Sequence, residues 1–276
     1  MALIHLNGRL TEAANARIDP ADRGLLLADG LFETLRAYDG QPFALEAHLV
    51  RLSDGAAALG LPMPPTTELA AAVTETLQAN NHRDASIRIT LTRGAGQRGL
   101  LPPGNPKPTW MVTTSPFADS GPTAWKAKLA TIRRNEHSPL ARLKSLAYLD
   151  NVLALKEAAE SGADESLMLN TAGRLACGSR SNLFLVLSGV LVTPPPSEGA
   201  LPGIARRQLL DLAAMAGIET REAPLSIEDL KRASEAFVSN SLIEVKPLAS
   251  VDKGTFTHGP VAAELAKLYS EMARDR

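Results

Sequence analysis

The chain has 276 residues, 45% of them hydrophobic, so it can bury a sizeable core, and its length suits one large domain or two smaller ones. Its 29 basic and 30 acidic residues leave a formal net charge of −1, which gives no electrostatic footprint for a nucleic-acid backbone or an anionic membrane and favours small-molecule work. A single cysteine, Cys177, excludes an intrachain disulfide and a thiolate zinc cluster; with no signal-peptide pattern at Met-Ala-Leu-Ile-His-Leu-Asn-Gly and no apolar run near ~20 residues, a soluble cytoplasmic protein is expected.

Ala2 to Leu6 reads as a strand turned by Asn7-Gly8, and the run from Leu31 through Phe43 carries a second turn signal at Asp39-Gly40. Leu45, Leu49, Leu52, Ala56 and Leu59 recur at spacings of three and four, which predicts a helix stopped by Gly60 and Pro62. Thr67 to Asn81, Ala-rich with Glu68 near its start, predicts another. Ser86 to Arg93 sets Ile87, Ile89 and Leu91 alternately against polar residues, and Thr109 to Thr114 supplies a further strand. Turn formers concentrate in Ser115-Pro-Phe-Ala-Asp-Ser-Gly-Pro122, the candidate interdomain linker.

Beyond it, Lys126 to Arg134 predicts a strand. Leu146, Leu149, Leu153 and Ala154 predict the apolar face of a helix ended by Ser161-Gly162, which puts Lys144 at the entrance of that helix. Short strands follow around Leu167, from Leu183 to Leu187 and from Val190 to Thr193. A helix runs from about Gly203 to Ala216, closed by Gly217, and another from Ser226 to Ala233, where Ser226 and Asp229 have capping-box spacing. A last helix covers roughly Val261 to Ala273, and no internal repeat or low-complexity tract is evident.

Gly94-Ala-Gly-Gln-Arg-Gly99 matches G-x-G-x-x-G after a predicted strand, but Leu100-Leu-Pro-Pro-Gly-Asn-Pro-Lys-Pro108 cannot open the helix a dinucleotide site requires, so the motif is a decoy. The tandem-proline loop reads instead as a lid. Leu201-Pro-Gly-Ile-Ala205 opens a helix with Pro near its first turn and a Gly that admits a close ligand, presenting the amides of Ile204 and Ala205 to an anion. Arg51 can add a bidentate guanidinium and Ser241 a hydroxyl; the competing reading of Arg51 is a surface ion pair with Asp54. On local sequence alone Lys144 is a solvated helix-end lysine. His5, His48, His82, His137 and His258 show neither paired metal-ligand spacing nor a nucleophile partner, so no metal and no triad is assigned.

Read in order, Asp29-Gly-Leu-Phe-Glu-Thr34, Ala47-His-Leu-Val-Arg-Leu52, the Lys144 segment Ala141-Arg-Leu-Lys-Ser-Leu-Ala-Tyr-Leu-Asp-Asn-Val-Leu-Ala154, Gly162-Ala-Asp-Glu165, Ser181-Asn-Leu-Phe184, Leu201-Pro-Gly-Ile204 and Ser239-Asn-Ser241 resemble class IV (fold type IV) pyridoxal-phosphate enzymes. The resemblance implies an α+β/α/β chain with the two-domain fold of D-amino-acid and branched-chain aminotransferases, and pyridoxal 5'-phosphate between the domains. A small N-terminal α+β domain over 1–116, a linker over 117–123 and a larger C-terminal domain over 124–276 carrying Lys144 are expected, in a homodimer.

By the same resemblance Lys144 is the Schiff-base lysine, which also shuttles the proton at the substrate Cα and must be partly desolvated beside cationic groups. Arg51, following His48-Leu-Val, falls on the phosphate arginine, with Ser241, Ile204 and Ala205 completing the phosphate site. Tyr148 matches a tyrosine near the cofactor, with an interfacial core tyrosine an equal reading, and Asn182, in Ser181-Asn-Leu-Phe184, falls in the cofactor site. Phe32 lines the cleft, and Arg98 falls where some members bind a substrate carboxylate.

Cys177 departs from the pattern: it stands where relatives carry the glutamate that pairs with the cofactor's ring nitrogen. A neutral thiol does not replace that charge, a thiolate does in part, and a small buried hydrophobe is the alternative. The implied activity is an aminotransferase moving an amino group between an amino acid and a 2-oxo acid. Aminodeoxychorismate lyase, eliminating pyruvate to leave 4-aminobenzoate, is the runner-up, favoured by Arg93-Gly-x-Gly-x-Arg-Gly99 and disfavoured by Leu100. A weakened cofactor-binding or regulatory homologue is the third reading, motivated by Cys177.

Overall fold

A computed structural model of the chain describes residues 2–118, 121–257 and 259–275. Two units emerge: one runs to Ala118 and adds Leu143–Ala147, and the other is the remainder.

In the first unit Asn7 and Gly8 take left-handed backbone, with φ of 47° and 82°, and turn β1 (Leu3–Leu6) into β2 (Arg9–Glu12). A short helix that the sequence reading missed, α1 (Arg23–Leu27), is capped by Asp22, which accepts from Gly24 N. β3 (Gly30–Tyr38) turns through Asp39-Gly40 into β4 (Gln41–Pro42). Then come α2 (Leu45–Leu59), stopped by Gly60 in left-handed backbone, and α3 (Thr66–Ala79). β5 (Ala85–Thr92) and β6 (Thr109–Pro116) complete an antiparallel sheet of order β2-β1-β6-β5-β3-β4. The period-two pattern works as expected: Ile87, Ile89 and Leu91 are buried with Leu35 of β3 against Leu49, Leu52 and Ala56 of α2 and Leu69, Val73 and Leu77 of α3.

β6 extends through Ser115 and Pro116, so the proposed turn-forming stretch begins later than its composition indicated; Asp119 and Ser120 lie outside the described residues. After β5 the G-x-G-x-x-G loop leads to β6 with no helix between them, and a side chain at Gly94 would collide with the Lys107 carbonyl. Lys144 is not at a helix entrance. Its segment lies along the edge of β3, where Ser145 forms an antiparallel bridge with Leu31, Phe32 N donates to Lys144 O at 2.9 Å, and Leu146 N donates to Gly30 O at 2.9 Å. Backbone pairing thus groups this short stretch with the first unit.

The second unit opens with β7 (Trp125–Arg134), and its first helix, α4 (Leu149–Glu160), excludes Leu146. Of the expected apolar face only Ala154 is buried in the helix: Leu149 and Leu153 are exposed, while Asn151 and Ala158 face inward with Ala154. Ala154 packs with Ala130 and Met168, because small side chains let the helix approach the sheet. β8 (Glu165–Asn170), β9 (Leu175–Gly178), β10 (Asn182–Leu187) and β11 (Val190–Thr193) follow. Next come α5 (Ile204–Met215), β12 (Thr220–Glu222) and α6 (Ile227–Arg232), the last with the Ser226/Asp229 capping box formed. β13 (Glu235–Asn240), β14 (Glu244–Val251), β15 (Gly254–Thr255) and α7 (Pro260–Arg274) end the chain's described elements.

The strands of this unit order as β12-β11-β10-β13-β14-β7-β8-β9, with β15 on β14. β14 with β7, β7 with β8, and β11 with β12 run parallel. Leu167, Leu183, Leu185 and Val238 fill its core. Among the described residues no helix is long and apolar enough to cross a membrane.

Candidate active site

In the first unit the pairing of Lys144 with β3 sets its side chain beside Phe32. Lys144 Nζ lies 4.4 Å from the Phe32 ring centroid, and Arg88 Cζ lies 4.0 Å from the same ring. Arg88 reaches it from β5, where it pairs opposite Thr34 while Thr90 pairs opposite Phe32, so all four share one sheet face. One aromatic ring therefore gathers an amine and a guanidinium, an arrangement suited to a carboxylate-bearing substrate. Phe32 and Lys144, from two separate motifs, lie together; Arg88 was missed, because on the sequence it is only the polar half of an alternating strand.

On the opposite face of β3, Glu33 is buried at 1% exposure and receives Arg51 Nε at 2.8 Å and Arg51 Nη2 at 2.6 Å. His48 Nδ1 donates to the same carboxylate at 2.7 Å. The ion pair of Arg51 with Asp54 considered from the sequence is thus replaced by a bidentate one with Glu33. Burial pushes the Glu33 carboxyl up, but the hydrogen bonds and charges of Arg51 and His48 outweigh it and hold it at about 2. Burial lowers His48 against the pull of Glu33, with the charges of Arg51 and Lys144 assisting the decrease.

Arg98 is exposed on its loop and is not among the residues gathered at Phe32. The residues that follow it are tied down. Buried Arg23 donates from Nη1 to Gly99 O and from Nη2 to Leu100 O, each at 2.9 Å, while its Nε and that of Arg93 both reach Asp29 Oδ2 at 2.8 Å. Burial raises the Asp29 carboxyl, yet bonds from Arg93 and Arg23 bring it below the usual range.

In the second unit Cys177 is buried in β9 opposite Met168 and packs with Ala176 and Ala200. Burial raises its thiol, Glu165 adding to the effect and Arg134 opposing it, which disfavours the thiolate. Asn182 opens β10 and donates from Nδ2 to Leu201 O at 2.9 Å. Ile204 and the buried Ala205 form the first turn of α5, whose N-cap Gly203 makes no side-chain cap. Ser241 lies in the turn between β13 and β14, and Tyr148 is the N-cap residue of α4. Two members of this region, the buried Glu165 and the half-buried Arg134, carried no sequence signal of their own. Glu165 appeared only inside a motif, and Arg134, which donates to Gly199 O, Asn151 Oδ1 and Ala141 O, was one basic residue of a strand.

Among the described residues no three His, Cys, Asp or Glu stand where they could hold a metal ion; His258 lies outside them.

The profile of the family described as Amino-transferase class IV matches residues 30–251. A Methanocaldococcus jannaschii protein provisionally named branched-chain-amino-acid aminotransferase is 38% identical over 275 residues, which span 99% of this chain and 95% of that protein. Aminodeoxychorismate lyase of Bacillus subtilis is 30% identical over 279 residues, spanning 99% of this chain and 95% of the lyase. The solved structure of a branched-chain aminotransferase from the archaeon Thermoproteus uzoniensis, with norvaline, has a TM-score of 0.94 at 31% identity, covering 99% of this chain and 94% of that one.

Proposed function

Because the chain belongs to the class IV aminotransferases, and is an enzyme with their two-domain fold, we propose that it moves an amino group between an amino acid and a 2-oxo acid with pyridoxal 5'-phosphate, Lys144 being its catalytic residue. The observation that supports this most directly is the Lys144 amine held 4.4 Å from the Phe32 ring centroid with Arg88 beside it.

The residues fit the cofactor in part. Favouring the phosphate are the first turn of α5, left without a side-chain cap, and the buried Ser239 hydroxyl, which has no hydrogen-bond partner. For the ring nitrogen Cys177 presents a buried thiol and no carboxylate. When bound, pyridoxal phosphate supplies the electrophile for the amino group and the ring that takes up the electron pair left at Cα. In our reading Lys144 Nζ carries the proton to and from Cα, Phe32 holds the side chain that bears it, and Arg88 orients a substrate carboxylate. The cofactor-binding roles of Arg51, Tyr148, Asn182, Ile204, Ala205 and Ser241 are part of the proposal. So are the substrate role of Arg98, the homodimer and the cytoplasmic location.

The names of the Methanocaldococcus and Thermoproteus proteins favour branched-chain amino acids as donors. Lyase activity is the second reading, favoured by the Bacillus subtilis relative. The test is a panel of branched-chain and other L- and D-amino acids and aminodeoxychorismate, following 2-oxo acid, pyruvate and 4-aminobenzoate. The holoprotein is expected to absorb near ~410 nm, and Lys144→Ala to lose that band and at least ~10³-fold in turnover. Near wild-type turnover of Lys144→Ala without added amine removes Lys144 from the chemistry. A stable ~410 nm band with no product from any donor leaves the weakened homologue.

A further inference from the structure

Glu165 is wholly buried at the start of β8, and its carboxylate receives donors from the next residue and from the turn before β10. Ser166 N and Ser179 N donate to Oε1 at 2.8 and 3.1 Å, Ser179 Oγ donates to the same oxygen, and Ser181 Oγ donates to Oε2 at 2.8 Å. Asn151 Nδ2 holds the same segment from the other side, donating to Ser179 O at 2.6 Å, and Gly178 N closes the turn on Ser181 O at 2.8 Å. A Cβ on Gly178 would collide with Ser181 Oγ, so the glycine is required by the hydroxyl that Glu165 holds.

The fixed turn delivers Asn182, whose Nδ2 donates to Leu201 O at 2.9 Å. Asn182 Oδ1 fills the space that a Cβ on Gly203 would occupy, immediately before α5. Opposite Asn182, on the same face of the sheet, β13 places Ser239, whose fully buried hydroxyl has no hydrogen-bond partner. A buried hydroxyl without a partner, opposite the Asn182 whose side chain reaches the residues leading into the uncapped start of α5, points to an anionic ligand there.

We propose that Glu165 is a positioning residue for an anion cradle at the start of α5: its carboxylate fixes Gly178–Ser181, and Asn182, carried on that turn, fixes Leu201–Gly203 and so the aim of the Ile204 and Ala205 amides. The cradle takes a phosphate group, and its identification with the cofactor's phosphate rests on the reading above. A charged acceptor is suited to the task, because each hydroxyl and amide donated to it is held more tightly than by a neutral group.

The experiment measures dissociation constants of the full chain, freed of any cofactor, for inorganic phosphate, pyridoxal phosphate and pyridoxal. The proteins are wild type, Glu165→Gln, Ser181→Ala and Gly203→Ala, with the melting temperature recorded for each. Ser181→Ala and Gly203→Ala are expected to weaken phosphate and pyridoxal phosphate by ~10-fold or more, to change pyridoxal by less than about twofold, and to keep the unliganded melting temperature within about 3 °C. Glu165→Gln should do the same or more; if it fails to fold, the other two variants decide. Unchanged phosphate affinity in Ser181→Ala, equal losses for pyridoxal and pyridoxal phosphate, or a wild-type chain that takes no phosphate overturns the proposal. A wild-type chain that binds phosphate with the expected sensitivity, but neither pyridoxal ligand, upholds the cradle and refutes the cofactor reading.

Discussion

Glu33 aims two side chains of α2 with one carboxylate. Arg51 uses its Nε and Nη2 on it, and His48 its Nδ1, so the orientation of Arg51 is fixed from inside the unit. Sequence spacing showed His48 and Arg51 together but could not show Glu33, which is a strand residue brought to them only by packing. Its folded-state pKa, about 2, lies below the ordinary 4.5, so its contribution to stability is present above about pH 4.5 and is lost as the pH falls towards 2. That depression corresponds to roughly 3 kcal/mol. Urea unfolding at pH 7 and pH 3 should therefore show a pH-dependent loss in the wild type that is much reduced in Glu33→Gln, which should itself be destabilised at pH 7. Equal pH dependence in the two proteins removes Glu33 from this role. Arg51→Ala should weaken pyridoxal phosphate on the order of 2 kcal/mol if Arg51 meets the phosphate, and also lower stability, since Glu33 stays buried with His48 alone. Arg51→Lys should recover stability better than affinity, because a point charge can face Glu33 but lacks the fork. An unchanged cofactor dissociation constant in Arg51→Ala assigns the arginine to structure only.

Elements with a period of their own and a local stop signal were legible in the sequence. α2 has leucines at helical spacing and Gly60 at its end, β5 alternates Ile87, Ile89 and Leu91, and α6 announces itself with Ser226 and Asp229. β13 and β14 were not legible, because almost every residue of Glu-Ala-Phe-Val-Ser-Asn and many of Glu-Val-Lys-Pro-Leu-Ala-Ser-Val are buried, which erases the period-two contrast. The Lys144 segment failed for the opposite reason. Leu149 and Leu153 imitate an apolar helix face, but the buried face is made of Asn151, Ala154 and Ala158, and the backbone pairing with β3 depends on residues far away in sequence. α7 shows how such distant contacts finish an element: Val261 N and Ala262 N in its first turn donate to Glu235 of β13, and a Cβ on Gly259 would strike that carboxylate. Glu235→Ala should cost ~1–2 kcal/mol and raise amide exchange first at Val261 and Ala262. Exchange that rises uniformly through α7, or not at all, excludes the cap as the cause.

At the scale of the whole molecule, a near-neutral chain rich in ordinary hydrophobics gives no hint of its chemistry, while a series of short motifs in a fixed order gave the family, now shown by the class IV profile over residues 30–251. What those motifs did not give is the choice among reactions: Arg88 at the Phe32 ring, to which our proposal gives the substrate carboxylate, has no motif of its own. Stability offers a test of the cofactor reading that does not require the substrate to be known. A ligand that binds the folded chain and not the unfolded one stabilises it by about 2.7 kcal/mol at a concentration a hundred times its dissociation constant. For a chain of this size each kcal/mol moves the melting temperature by roughly 2–4 °C, so saturating pyridoxal phosphate should raise it by roughly 5–10 °C. Lys144→Ala should keep part of the shift through contacts to the phosphate but lose what the covalent link adds, and pyridoxal, lacking the phosphate, should give a smaller shift in the wild type. Identical shifts in wild type and Lys144→Ala would mean that the lysine makes no bond to the cofactor, whereas no shift in either protein would mean that the chain does not take pyridoxal phosphate at all.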